Sequence, residues 1–120
     1  MASSRPPLKD ADKKYIKGLR GALEPFISIR NTMPLQYVTT FLLVAMDEGK
    51  SVGEYAAKAG VSQSVMSRHL LDIGERNRHM EEGFGLIQYR PNPMELRKHE
   101  VFLSDKGRAI AHQMVRQLGG

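Results

Sequence analysis

Apolar positions near the start of the chain fall at helical spacing. Tyr15, Ile16, Leu19, Leu23 and Phe26 recur at three- and four-residue steps, with Lys13, Lys17, Arg20 and Glu24 on the other face. This predicts an amphipathic helix over residues 10–30, which Pro25 should end or kink. Thr32 and Pro34 suit a second start. Residues 34–48 read as a central core helix, because Leu35 to Met46 is apolar nearly all round. Ser51-Val52-Gly53-Glu54 has the spacing of a capping box, and the helix it opens stops at Gly60. Ser62 can cap the next helix, where Met66, Leu70 and Ile73 form the apolar stripe. This pair, within residues 51–80, is two helices joined by a tight turn, the sign of a helix-turn-helix.

Residues 74–85 are polar and interrupted by Gly74, Gly83 and Gly85. Two short strand-like runs follow, Leu86 to Arg90 and Glu100 to Leu103. Pro91-Asn92-Pro93 and the charged stretch 95–99 lie between them. They predict a β-hairpin over residues 85–104 with an exposed basic tip. Ser104-Asp105 then starts a last helix, 105–118, with Ile110, Met114 and Leu118 on one stripe. Residues 1–9 read as a flexible basic tail. The fold class is mainly α with a small β-hairpin wing (α+β), a winged helix-turn-helix forming one domain over residues 10–120.

Composition narrows the function. The chain has 120 residues and no Cys, which excludes a disulfide scaffold, a Cys-ligated zinc site and a thiol nucleophile. Its longest apolar run, Phe41 to Met46, is far short of the ~20 residues of a membrane span. The N-terminus has no apolar signal region, so a cytoplasmic location is expected. Net charge is +5, which favours an anionic partner, nucleic acid first and an anionic membrane surface second. Residues 1–30 hold seven basic residues against three acidic ones; the other ninety residues hold eleven against ten. A basic surface beyond residue 30 must therefore come from placement. His69, His79, His99 and His112 have no helical i, i+3 or i, i+4 partner among themselves for metal binding. Asp47-Glu48 and Glu81-Glu82 are adjacent and diverge on regular elements. Gly83-Phe84-Gly85 precedes no helix, so it is not a phosphate loop. No enzyme and no cofactor are expected.

With Met66, Leu70 and Ile73 inward, Ser62, Gln63, Ser64, Ser67 and Arg68 lie outward, with Leu71 at the margin. Gln pairs with an adenine edge, Arg with a guanine edge, and Ser with bases or phosphates. A capped, solvated surface helix explains the same residues equally well from spacing alone. Arg97 and Lys98 stand on the wing tip, where a stiff hairpin can place a cation in the minor groove. Asn92, Glu95 or both would shape that turn. A solvated hairpin tip is the plainer alternative. For Arg76, Arg78 and His79, a loop of mixed charge is the better reading. Lys13, Lys14, Lys17 and Arg20 form the densest positive cluster, either a solvated face or a contact to flanking phosphates or to an acidic partner.

Residues 34–118 resemble the MarR (multiple antibiotic resistance regulator) family of bacterial winged helix-turn-helix transcription factors. The resemblance rests on Gln36-Tyr37, Ser51-Val52-Gly53-Glu54 with Ala56, Gly60 to Ser64 and Ser67-Arg68. Its closest part is Gly85 to Pro93, followed by Glu95, Arg97, Val101, Leu103-Ser104 and Lys106-Gly107-Arg108. Two departures are a longer link at 74–84 and a shorter C-terminal helix. The resemblance implies a minor-groove role for Arg97. It also implies DNA release coupled to a small, often phenolic or anionic effector, which no residue here identifies, and a ligand-free regulator fits the short C-terminal helix equally well.

The leading expectation is a sequence-specific double-stranded DNA-binding regulator, a repressor. It would read the major groove with helix 62–76 and the minor groove with the 90–99 wing. It would work as a homodimer through Tyr15, Ile16, Leu19, Leu23, Phe26, Ile110, Met114 and Leu118. The alternative is a winged-helix protein–protein module, or one tied to phage or plasmid replication.

Overall fold

The computed structural model describes residues 5–76, 79, 81–95 and 98–119. Helix α1 spans Asp10–Ile29, α2 Leu35–Met46, α3 Val52–Ala59 and α4 Gln63–Ile73. Strands β1 (Ile87–Pro91) and β2 (His99–Leu103) follow, then α5 (Asp105–Gln117). This is the expected order of a winged helix-turn-helix.

Pro25 does not end α1, which continues to Ile29. Tertiary packing overrides the local penalty. Ala22 and Phe26 are buried, and the Phe26 ring meets Phe41 of α2 edge-on at 5.3 Å. The middle of α2 is the centre of the core, with Val38, Phe41 and Val44 buried. Its ends are not: Leu35 and Met46 are 70% and 80% exposed.

Side chains named by the sequence set the starts of the next three helices. Ser51 and Glu54 form a complete capping box on α3, which closes on Gly60 in the left-handed region (φ 70°). The Ser62 hydroxyl accepts from the Val65 amide to open α4. Met66, Leu70 and Ile73 are buried beneath it. The helix ends at Ile73 rather than running to residue 76. The returning chain takes up its last carbonyls: Phe84 N donates to Asp72 O, Leu86 N to Ile73 O and Gly85 N to Gly74 O (3.3, 2.8 and 2.8 Å). A Cβ on Gly83 would collide with the Gly74 carbonyl, so the return is close enough to need glycine.

The strands pair antiparallel with Ile87 opposite Leu103 and Tyr89 opposite Val101. Each is one residue displaced or longer than its periodicity predicts. Pro91 is tolerated at the end of β1, where a missing donor costs no interior ladder bond. Lys50 bridges Val101 on the other edge of β2, with Gly49 N to Val101 O at 2.8 Å and Val101 N to Lys50 O at 3.0 Å. Ser104 caps α5 by accepting from Gly107 N (3.0 Å) while its hydroxyl donates to Gly85 O (2.5 Å). Helix α5 crosses α1 where Gly18 and Gly21 leave room for Gln117.

The radius of gyration is 16.8 Å, above the ~14 Å of a compact chain this long. Part of the excess is α1, whose residues 10–17 are all exposed before it reaches α5. Among the described residues no helix is long and apolar enough to cross a membrane.

Candidate nucleic-acid interface

Burial of Met66, Leu70 and Ile73 turns the opposite face of α4 outward. Gln63, Ser64 and Arg68 are exposed there, with Ser62 at the cap and Ser67 half-buried. The Ser62 and Ser64 hydroxyls are 3.2 Å apart. Arg68 Nε lies 3.5 Å from the Ser64 carbonyl, a marginal bond that leaves the guanidinium donors for an external acceptor. Leu71, the marginal residue, is half-buried. It lines a cleft of about 660 Å³ with Ser67, Gln63, Ser51, Tyr89 and His99, between α4 and the hairpin. Burial pushes the Tyr89 phenol up to about 12, so it stays a neutral hydroxyl. His99 meets its ring edge-on at 6.3 Å.

The hairpin closes with Asn92 N donating to Lys98 O (2.9 Å) and Lys98 N to Glu95 O (3.0 Å). Asn92 shapes the turn as expected: its Oδ1 accepts from the amides of Met94 and Glu95 (2.8 and 3.2 Å). Glu95 contributes through Lys98, which it holds at 3.1 Å. Lys98 is thus at the predicted tip but already partnered. Arg97 lies outside the described residues, as does Arg78. Arg76 faces Glu82 across a short bridge and is not helical.

The hairpin and helix-turn-helix are fastened by the segment between α2 and α3. Tyr55 is buried, and its hydroxyl donates to Asp47 O at 2.7 Å and lies 3.4 Å from Val101 O. The same oxygen accepts from Lys50 N at 3.3 Å. Glu48 accepts from the Leu103 amide at 2.8 Å and takes a two-pronged bond from Arg108. The Arg108 guanidinium, ahead of that amide, holds the Glu48 carboxyl below the usual carboxylate range. Sequence reasoning missed this fastening, because partners far apart in the chain leave no local spacing to read. It also missed Met94 at the wing tip.

The residues predicted for a dimer face divide. Phe26, Ile110 and Met114 lie in the protomer's own core, a correction to their expected role. The stripe has two sides, and these residues point to the inner one. Leu23 is half-buried, while Tyr15, Ile16, Leu19 and Leu118 stay exposed. Ile27 and Val115, not anticipated, join them. Among the described residues no group of three or more His, Asp or Glu is placed to hold a metal. His69 packs edge-on against Tyr37 at 5.7 Å as a half-buried histidine.

No protein-family model and no curated protein matches this chain. Solved structures do match. Over 88% of its length it is similar to a MarR family transcription regulator, with 20% identity and a TM-score of 0.58. Over 90% it is similar to a transcriptional regulator from Thermotoga maritima, at 17% identity and a TM-score of 0.63. The chain spans 61% and 66% of the lengths of these two. A third neighbour is the transcriptional repressor CouR bound to a 23-mer DNA duplex. There the identity is 22% and the TM-score 0.53, covering 90% of this chain and 69% of that one. The likeness establishes a MarR-like winged-helix fold.

Proposed function

We propose that this chain, built on that fold, is a MarR-family repressor that binds double-stranded DNA sequence-specifically in the cytoplasm. The carrying observation is the outward face of α4, where Gln63, Ser64 and Arg68 are exposed beside the hairpin. The fold alone does not assign this function. The face has the donors that read base edges in a major groove, on an element held rigid by its caps and core. Arg97 is assigned to the adjacent minor groove, with Lys98 and the Lys13–Arg20 cluster steering toward phosphates. A solved neighbour described as a repressor bound to a DNA duplex supports the reading.

The chain acts as a homodimer whose half-sites lie about one helical turn apart, ~34 Å. Tyr15, Ile16, Leu19, Ile27, Val115 and Leu118 form the face for the second copy. All six are exposed apolar side chains, four on α1 and two at the end of α5.

Selection from random duplex DNA tests this, followed by binding of the selected site across a salt series. The expected result is a palindrome and a negative slope of log K against log salt. Absence of any enriched site would reject the DNA reading and favour a protein-binding winged helix.

A further inference from the structure

Met94 is the most exposed large apolar side chain among the described residues, at 90%. It stands on the wing tip, on a stiff mount. Pro91 and Pro93 restrict the backbone on both sides of Asn92. The Asn92 side chain holds the amides of residues 94 and 95, and its backbone amide reaches Lys98 O. A side chain that touches so little of its own protein contributes almost nothing to folding. Beside it Lys98 is paired with Glu95 at 3.1 Å.

Resting on the DNA reading above, we propose that Met94 is a specificity-determining residue that enters the minor groove as an apolar wedge. It selects operators whose flank carries an easily unstacked pyrimidine–purine step. Apolar side chains, methionine among them, serve as wedges that part stacked base pairs. TA and CA/TG steps yield most readily to such insertion, so deformability is read without any hydrogen bond to a base. The unbranched thioether adapts to a narrow space and is polarizable against the base faces.

The test uses the full chain and the half-site it selects, with the flanking step varied among TA, CA, AA and GC and with 2-aminopurine placed at that step. The parent is expected to prefer TA or CA flanks by about tenfold over GC and to raise the 2-aminopurine fluorescence. Met94→Ala should lose both effects. It should keep the half-site preference, the salt slope and the melting temperature, since no charge and no packing is removed. Met94→Leu should retain the flank preference. The proposal is overturned if Met94→Ala ranks flanks and raises fluorescence as the parent does, or if it weakens all flanks equally. In either case the DNA reading survives provided Arg68→Ala still loses half-site preference. A parent that selects no half-site overturns both.

Discussion

Glu48 and Arg108, 60 residues apart in the chain, meet through two hydrogen bonds of 3.0 and 2.8 Å at the base of the wing. The same carboxylate accepts the Leu103 amide, so one side chain joins the end of α2, the end of β2 and the first turn of α5. Its folded pKa lies below the ordinary value. The stability this adds is present above the ordinary carboxylate range and is lost as pH falls through the depressed folded pKa. Glu48→Gln should therefore lower stability at pH 7 by about 1 kcal/mol, and the difference from the parent should shrink below about pH 4. Urea midpoints measured from pH 3 to pH 8 check this; parallel pH curves would contradict it.

Arg68→Ala should reduce affinity for the selected site by about 1–3 kcal/mol and broaden base preference at one position per half-site. The reason is its exposed guanidinium on the outward face of α4. Competition against single-base variants of the site measures both effects. A uniform loss over all variants would reassign Arg68 to a phosphate.

Arg97→Ala should weaken A·T-rich flanks most, because a narrow minor groove concentrates negative potential. Binding to G·C-flanked sites should change least. Equal losses on both would place this residue outside the groove.

Leu19→Asp should separate the proposed dimer while leaving the protomer folded. Leu19 is half-exposed on α1, so the substitution costs little inside one chain. Sedimentation should show a shift to the 13.5 kDa species, with the circular dichroism spectrum retained. A parent that already sediments at that mass at working concentration would remove the dimer.

Much of the fold was legible because its helix starts are written locally. Ser51, Ser62 and Ser104 each cap the helix that their spacing predicts. What stayed hidden depends on distant neighbours. Pro25 sits inside α1 because Phe26 is held by Phe41, and α4 stops early because Phe84 to Leu86 return to its last carbonyls. Periodicity marked Phe26, Ile110 and Met114 as one-sided apolar residues but not which neighbour would cover them. The outward residues of α4 were readable as the complement of its buried stripe. Glu48, which fastens the wing, was not, since neither Arg108 nor Leu103 is near it in the chain.

The backbone bridge from Lys50 to Val101, with the Tyr55 hydroxyl beneath it, has a mechanical result. Helix-turn-helix and wing share one truss, so together they form a gauge of fixed span. In the paired molecule proposed above, a ligand or a stretched operator has little slack to take up inside either gauge.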